Sequence, residues 1–253
     1  MVKVVSVHSF RGGTGKSNTT ANLAATVARQ GKRVGIVDTD IQSPGIHVLF
    51  GFDESQMNLA LNDYLWGRCS VEEAAYDVTH VLHGTGSTGS AIYLIPSSLK
   101  AGEIARVLRE GYDVGLLNDG FQGLIKQLNL DYLFIDTHPG LNEETLLSIT
   151  ISDVLLLIMR PDRQDFQGTA VTVDIARRLE VPKMLLIVNK ALSSFDFPAL
   201  KAQVEETYGA PVAAILPLTE EMIQLGSSDI FSLRFPDHPL TQIYTSIANL
   251  LLD

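Results

Sequence analysis

HSFRGGTGKSNTTANLA, residues 8–24, carries the strongest structural signal in the sequence. It directly follows a short apolar run at 4–7, and glycines at positions 12, 13 and 15 lead into Lys16 and Ser17. Glycines allow a backbone to curl until successive N–H groups face phosphate oxygens, and the start of a following helix adds positive charge. A lysine at this point reaches the β- and γ-phosphates, and the adjacent hydroxyl coordinates Mg²⁺. The stretch therefore predicts a strand, a phosphate-binding loop and a helix, in that order.

The loop fits only the second half of the common phosphate-loop pattern, G-x-x-x-x-G-K-[ST]. The first glycine of that pattern would fall at position 10, where Phe10 stands, whereas Gly15, Lys16 and Ser17 agree with its end. The alternative is a glycine turn that contains Gly-Lys-Ser by accident. The predicted strand before the loop and helix after it favour phosphate binding over that alternative.

The composition is that of a folded, acidic chain. It has 253 residues, 45% of them hydrophobic and 19% charged, which suits one α/β domain over residues 1–253. The net charge of −10 does not indicate a polyanion partner for the whole surface. Because Cys69 is the single cysteine, the sequence holds neither an internal disulfide nor a cysteine pair for zinc or a metal cluster. No window approaches the roughly 18–20 apolar residues of a membrane span, and no signal-peptide pattern is present, so we expect a cytoplasmic protein.

Short apolar runs alternate with longer amphipathic segments along the chain. The runs, which predict strands, lie at 4–7, 34–37, 91–95, 132–135, 154–159, 184–188 and 212–216. The segments, which predict helices, lie at 18–30, 103–110, 143–149, 169–179 and 199–208. Most runs are apolar on both faces, as strands between two helix layers are. The pattern predicts an α/β fold: a mainly parallel, twisted sheet flanked by helices on both faces, the three-layer arrangement of P-loop NTPases.

Two regions are less regular. The sequence predicts helix around 58–66 and 71–76, and then an exposed connection at HGTGSTGS, residues 83–90, with contact to a partner as the alternative. The last segment, 239–253, predicts a helix without lysine or arginine, which favours core packing over a membrane-surface helix. The apolar face expected for it comprises Leu240, Ile243, Tyr244, Ile247, Leu250 and Leu251.

Two further motifs end predicted strands in aspartates. VGIVDTDIQSPG, residues 34–45, carries Asp38 and Asp40, and DYLFIDTHPG, residues 131–140, carries Asp136. The carboxyl ends of strands are where α/β sheets place their ligand chemistry. Two carboxylates at such an end suit a Mg²⁺ hydration shell and the orientation of a water, and a strand-terminal aspartate that faces a phosphate loop holds a magnesium-bound water. These motifs predict a Mg²⁺-nucleotide site beside the loop.

Together the motifs resemble those of the ParA/MinD family of deviant Walker A ATPases, in the SIMIBI class of NTPases. The family's loop reads Lys-Gly-Gly-x-Gly-Lys-[Ser/Thr], and this chain matches it from Gly12 to Ser17, apart from the free position. Arg11 stands where the family has its signature lysine. In the family that lysine reaches across a nucleotide-sandwich dimer to the phosphates of the other subunit. Arginine keeps the charge and adds a planar fork suited to phosphate, so the resemblance implies a retained contact in trans with altered geometry.

The resemblance extends over essentially the whole chain and implies a role for each site residue. Asp40 orients the attacking water, while Asn189, which ends LLIVNK at residues 185–190, hydrogen-bonds the adenine, and Pro217 packs against the base. The implied catalytic residues are Lys16, Asp40 and Arg11, and the implied Mg²⁺ site comprises Ser17, Asp38 and Asp136. The implied ATP-binding residues are Arg11, Gly12, Gly13, Thr14, Gly15, Lys16, Ser17, Asn18, Asn189 and Pro217.

The segment after Asp136 departs from the family. The family reads Asp-x-Pro-Pro or Asp-x-Pro-Ala-Gly there, whereas this chain has His138 before Pro139. A loop residue near the dimer face is the expected role of this histidine, with a catalytic role as the alternative. Gly140 is a candidate switch glycine, able to turn its N–H toward a γ-phosphate.

The function implied by the resemblance is an ATP-dependent switch that positions or partitions a cellular cargo, such as a plasmid, a chromosome or a protein assembly. Two subunits close around two ATP and two Mg²⁺, hydrolysis reopens the homodimer, and an unidentified partner protein stimulates a slow intrinsic rate. An ATP-binding scaffold with little hydrolysis is the alternative to which Arg11 points. A metal-cluster carrier on the same fold would need more cysteines than Cys69. Nothing in the sequence resembles the substrate clamp of a kinase.

The matrix on which such a switch acts stays open. Non-specific DNA binding, and with it association with the nucleoid, would require clustered basic residues on a dimer face. The candidates are Arg177, Arg178, Lys183 and Lys201, which are equally compatible with a solvated helix surface. Membrane binding is not expected, because the last helix lacks a basic face.

Overall fold

The phosphate loop sits near the middle of one eight-stranded sheet. The computed structural model describes residues 2–252. Its strands are β1 (Lys3–His8), β2 (Arg33–Asp38), β3 (Tyr76–Asp77), β4 (Ala91–Ile95), β5 (Tyr132–Asp136), β6 (Val154–Met159), β7 (Lys183–Ala191) and β8 (Val212–Pro217). Their order across the sheet is β3-β4-β2-β5-β1-β6-β7-β8. All neighbours pair in parallel except β3 and β4, so the predicted, mainly parallel sheet is confirmed.

Helices cover both faces of the sheet, as predicted. They are α1 (Lys16–Arg29), α2 (Leu61–Leu65), α3 (Ala101–Glu110), α4 (Val114–Gln127), α5 (Glu143–Thr150), α6 (Arg163–Arg178), α7 (Phe197–Tyr208), α8 (Glu220–Leu225), α9 (Phe231–Arg234) and α10 (Pro239–Leu252). Three short 3-10 segments lie at Ile46–Phe50, Glu72–Ala74 and Thr79–Leu82. Within residues 2–252, no helix has both the length and the apolar character that crossing a membrane requires.

The strands divide the core into apolar layers, because successive side chains of a strand point to opposite faces. On one face, Val5 and Val7 of β1 pack with α1 and α10. On the other face, Leu133 and Ile135 of β5 pack with Phe121 and Leu124 of α4. A third cluster joins β6 and β7 to α6 and α7. Because helices pack on both faces of these strands, most of the predicted apolar runs are apolar on both faces.

The region between β2 and β4 differs from the sequence prediction. The helix expected at 58–66 is confined to Leu61–Leu65. The helix expected at 71–76 is wrong: a 3-10 turn at Glu72–Ala74 leads into β3, which pairs antiparallel with β4 at the sheet edge. Helix α4 was not predicted, because its sequence contains three glycines. One of them, Gly120, lies under the Tyr64 ring, where a Cβ would come within 2.7 Å of Cε1, so close packing requires the glycine.

Helix α10 packs into the core, and the glycine-rich connection at 83–90 binds the end of α1. Leu240, Tyr244, Ile247 and Leu251 are buried as expected, but Leu250 is 37% exposed because it lies at the flank of the buried stripe, and its predicted burial is wrong. In the 83–90 connection, the hydroxyls of Ser87 and Ser90 donate hydrogen bonds to the carbonyls of Arg29 and Ala28. The connection therefore satisfies the carbonyl end of α1.

Helix α6 approaches the phosphate loop closely through Gly168. The Phe10 ring lies on this glycine, so closely that a Cβ at position 168 would meet ring carbons at 2.0, 2.4 and 2.8 Å. Gly168 is buried, and Phe10 stands at the position where the common phosphate loop has its first glycine. The aromatic ring at the start of the loop is therefore accommodated by a glycine on the neighbouring helix.

This contact predicts that Gly168→Ala destabilises the protein. Alanine favours an interior helix position over glycine by about 1 kcal/mol, but overpacking costs roughly 1–3 kcal/mol, and at a 2.0 Å approach we expect the overpacking to prevail. Urea denaturation should show a net loss of ~1 kcal/mol in the free energy of unfolding. The matched control is Gly102→Ala in α3, where no atom lies within 4 Å of the new Cβ. Equal stability of the two variants would contradict this packing argument.

Candidate nucleotide-binding site

The phosphate loop connects β1 to α1 at the carboxyl edge of the sheet. Gly13 and Gly15 have φ of 75° and 96°, in the left-handed region that favours glycine. Helix α1 begins at Lys16, and no side chain caps its N-terminus, so its first N–H groups remain directed into the loop. The Lys16 side chain is almost fully buried. A strand, a glycine loop, a lysine and a helix start are thus arranged as the sequence predicted.

Two buried carboxylates face this loop from neighbouring strands. Asp38 ends β2 and Asp136 ends β5, and the two residues are direct partners in the parallel pairing of these strands. Asp136 accepts a hydrogen bond from the Thr20 hydroxyl of α1 at 3.2 Å. Asp38 accepts from the backbone N–H groups of Asp40 at 3.0 Å and Gly45 at 3.2 Å. The strand pairing therefore brings together residues that are almost 100 positions apart in the sequence.

Burial of these carboxyls makes their charged forms costly. Burial raises the pKa of Asp136 to about 6, against the opposing effects of Lys16 and the nearby Ser17 hydroxyl. Burial, followed by the charges of Asp136 and Asp40, raises the pKa of Asp38 well above its ordinary value. A site with this excess of negative charge favours a bound cation.

The donors present fit Mg²⁺ in particular. Mg²⁺ prefers oxygen ligands and is usually held by one or two carboxylates together with waters and substrate phosphates. Ser17, Asp38 and Asp136 supply such oxygens beside the phosphate loop. Among residues 2–252, no three His, Cys, Asp or Glu side chains converge into a metal site made of protein ligands alone. The donor set is therefore of the kind that shares Mg²⁺ with a nucleotide.

Asp40 lies in the loop after β2 and contacts the loop after β5. Its Oδ1 accepts hydrogen bonds from His138 Nδ1 at 2.7 Å and from the Ser43 hydroxyl at 2.8 Å. Gly140, two residues beyond the histidine, has φ of 87° and donates its N–H to the Ser9 carbonyl at 3.2 Å. The candidate water-orienting residue and the candidate switch glycine thus lie on two loops that touch each other, and the loop with the glycine also binds the phosphate loop.

A cavity of about 360 Å³ opens on the other side of the loop. Asn18, Asn189 and Pro217, three of the sequence-predicted nucleotide-binding residues, line it together with Tyr244 of α10. The Asn189 amide donates to the Thr14 carbonyl at 2.8 Å, and its nitrogen lies only 2.3 Å from where a Cβ of Gly15 would stand. Glycine at position 15 is therefore needed both for its backbone angle and for this contact.

Arg11 faces two acids of its own chain. Its Nη1 lies 3.4 Å from Asp165 Oδ1 and 3.7 Å from Asp162 Oδ1, at the start of α6. Asp165 is buried and also binds Arg160, through the backbone N–H at 2.8 Å and Nε at 3.1 Å. The Arg11 side chain itself is 38% exposed. No sequence pattern predicts this pairing, because β6 and α6 meet the loop only in the folded sheet.

Two further residues of the site escaped the sequence prediction. Lys190 has φ of 57°, and its Nζ donates to the Gly13 carbonyl at 2.8 Å, so the end of β7 holds the phosphate loop from outside. His8 is fully buried, with Nδ1 2.7 Å from the Thr137 hydroxyl. Burial and the charge of Lys16 lower the pKa of His8 to about 3, which keeps its imidazole neutral. In the sequence, these residues could have been noticed only because Lys190 follows Asn189 and His8 immediately precedes the phosphate loop.

The four basic residues considered for DNA contact are engaged within the chain. Arg177 donates to the carbonyls of Tyr208 and Gly209, and Lys183 donates to the carbonyl of Leu250. Arg178 and Lys201 pair with Asp174 and Glu205 on their own helices. These contacts are those of a solvated, internally paired surface.

This fold and loop define a site of the P-loop ATPase type. The chain belongs to the AAA_31 family, whose model, described as an AAA domain, matches residues 2–184. It is 25% identical over 255 residues to the uncharacterized ATP-binding protein MJ0547 of Methanocaldococcus jannaschii, covering 100% of this chain and 88% of that protein. It is 25% identical over 260 residues to an iron-sulfur cluster carrier protein of Pseudomonas fragi, covering 97% of this chain and 83% of the relative.

The fold is also that of solved MinD structures. The septum site-determining protein MinD from Pyrococcus horikoshii, complexed with Mg-ADP, superimposes with a TM-score of 0.79 and 20% identity, over 99% of this chain and 96% of that one. The resemblance to the ParA/MinD ATPases is thereby confirmed at the level of fold and P-loop ATPase family.

The buried acids predict that Asp136→Asn stabilises the protein at neutral pH. The pKa of Asp136 rises from 3.8 to about 6 on folding, so the native state binds this proton more tightly and loses stability as pH rises through that interval. An asparagine does not titrate, and the gain in melting temperature should be present at pH 8 and vanish near pH 4. The measurement is thermal unfolding across pH without nucleotide or Mg²⁺. The control is Asp237→Asn on the surface, and a constant offset between Asp136→Asn and wild type at every pH would contradict the prediction.

Proposed function

We propose that the protein is an ATP-dependent switch that dimerises around bound ATP and Mg²⁺, hydrolyses the ATP and thereby positions or partitions a cargo. The observation that carries the proposal is the convergence of Lys16, Asp38 and Asp136 at the carboxyl ends of β1, β2 and β5. A buried lysine and two buried carboxylates beside a glycine loop suit phosphoryl chemistry, in which positioning and charge stabilisation account for most of the catalysis. The similarity to MinD, a septum site-determining protein, supports the spatial role.

Each residue then has a role in the proposed site. Backbone N–H groups from Gly12 to Ser17, including that of Thr14, and the Lys16 ammonium bind the phosphates. Ser17, Asp38 and Asp136 would hold Mg²⁺, which would supply positive charge to the nucleotide phosphates. Asp40 orients the attacking water. The cavity that Asn18, Asn189 and Pro217 line takes the adenine.

Arg11 acts in trans in this proposal. An ion pair of a partly exposed side chain contributes only about 0–1 kcal/mol, so Arg11 can leave the acids at the start of α6 at little cost. Asp165 does not become unpaired when Arg11 leaves, because Arg160 remains bound to it. The free guanidinium can then reach the phosphates of a second subunit that faces this one.

The proposal treats residues 1–253 as one ATPase domain that works in the cytoplasm as a homodimer with an activating partner. The ATP-binding scaffold with little hydrolysis remains the second candidate, because Arg11 replaces the signature lysine and is held by acids in this structure. A cluster carrier is disfavoured, since Cys69, the only cysteine, packs beside the apolar cluster between α4 and the sheet. DNA binding has no support from the four internally paired basic residues.

We expect Lys16→Ala to weaken ATP binding strongly while the fold persists. The change removes the buried charge that faces the phosphates and should weaken binding by about 2–5 kcal/mol, the cost of removing one partner from a buried charge pair. Titration with a fluorescent ATP analogue in the presence of Mg²⁺ measures this loss. Lys126→Ala, at an exposed lysine of α4, is the control and should bind as wild type does. Normal affinity in Lys16→Ala would exclude the phosphate-loop assignment.

Arg11→Ala should leave ATP binding by the monomer nearly intact but weaken ATP-dependent dimerisation and hydrolysis together. An arginine that neutralises transition-state charge in related NTPases contributes roughly 10³-fold or more to the rate. Arg11→Lys should recover both properties in part, because it restores the charge without the fork. Light scattering with a non-hydrolysable ATP analogue measures the dimer, with Arg178→Ala on the α6 surface as the control. Dimerisation of Arg11→Ala as tight as that of wild type would show that the arginine does not act in trans.

A further inference from the structure

We propose that His138 is a positioning residue that holds Asp40 in the orientation needed to direct the attacking water. The inference rests on the proposed ATPase function and adds to it a residue at which this chain differs from the family pattern. Asp40 is a short side chain on the loop after β2, and Ser43 of the same loop binds its Oδ1 through the backbone N–H and the hydroxyl. The His138 imidazole, presented by the loop after β5, adds a constraint from outside the β2 loop.

The contact between the two residues is short and sheltered. His138 Nδ1 lies 2.7 Å from Asp40 Oδ1, and the two side chains are only 23% and 13% exposed. An ionised carboxylate can only accept hydrogen bonds, so Nδ1 carries the proton in this contact. Hydrogen bonds to charged groups are shorter and stronger than those between neutral groups, and partial burial reduces competition from water.

The hydrogen bonds of Asp40 leave one of its oxygens available. Oδ1 accepts from His138 Nδ1, from the Ser43 backbone N–H at 3.1 Å and from the Ser43 hydroxyl at 2.8 Å. No donor within residues 2–252 reaches Oδ2. With these donors on Oδ1, Oδ2 remains available to accept a hydrogen bond from water.

His138 itself is held from both sides along the chain. It lies between Asp136, at the end of β5, and Gly140, whose N–H is bound to the Ser9 carbonyl. The Thr145 hydroxyl of α5 donates to the His138 carbonyl at 3.3 Å. The imidazole therefore connects the β5 loop, which lies beside the phosphate loop, to the β2 loop beyond it. A catalytic group displaced by about 1 Å can lose up to 10²-fold in rate, so a tether of this kind has a measurable effect.

The experiment compares steady-state ATP hydrolysis in wild type, His138→Ala, His138→Asn, Asp40→Ala and His80→Ala. We expect His138→Ala to lower kcat about ten-fold with KM within about two-fold, since ATP binding does not use the imidazole. His138→Asn should recover most of the rate, because the asparagine amide places a donor close to the Nδ1 position. Asp40→Ala should be at least as slow as His138→Ala, and His80→Ala, at an exposed histidine, should match wild type. ATP-dependent dimerisation of His138→Ala should equal that of wild type.

Several outcomes would overturn the inference. A kcat of His138→Ala at or above the wild-type value would show that the histidine does not assist Asp40. A His138→Asn variant as slow as His138→Ala would assign the effect to loss of the ring, and impaired dimerisation would make His138 a dimer-face residue instead. A wild-type protein that binds ATP without hydrolysing it would reject the proposed function and this inference together. An active wild type, a slow Asp40→Ala and an unimpaired His138→Ala would reject the inference alone.

Discussion

The structure depends above all on the burial of two carboxylates side by side at the ends of paired strands. Asp38 and Asp136 are partners in the β2–β5 register and are almost wholly inaccessible to water. Such groups destabilise a fold unless donors and positive charge surround them. Here the donors are backbone N–H groups and the Thr20 hydroxyl, and the positive charge is Lys16. Because this compensation is partial, the pKa of each acid stays raised, and the site is suited to a further cation.

The strand order provides the geometry that this site needs. Since β1 lies between β5 and β6, the loop that follows it has acids on one side and helix α6 on the other. The first side supplies the carboxylates, and the second supplies Gly168, against which Phe10 packs. Farther along the sheet, β7 brings Asn189 and Lys190 against the loop from outside. The phosphate loop is therefore held by the β5 loop, by helix α6 and by the end of β7, and its conformation does not depend on its own sequence alone.

Two polar contacts near the phosphate loop, those of Arg11 and of Asp40, differ in how firmly they hold the side chain. Arg11 is bound to acids that retain another partner without it, so its position is weakly determined within one subunit. Asp40 is bound to a histidine on a different loop, so its position is strongly determined. In the proposed switch, the first residue is free to move toward a second subunit, and the second keeps its orientation for hydrolysis.

Sequence patterns alone were enough to predict the strand–loop–helix unit, six further strands to within a few residues and the mainly parallel sheet, because these depend on local patterns of apolar and glycine residues. They also predicted that Asp38, Asp40 and Asp136 lie near the loop, since the carboxyl ends of parallel strands share one edge. The sequence did not predict α4, where the need for Gly120 is explained by its close packing against Tyr64, and it wrongly predicted Leu250 to be buried. The partners of Arg11 and His138 became known only from the folded chain. Those contacts join loops 98 or more positions apart, and no local pattern specifies which loops meet across a sheet.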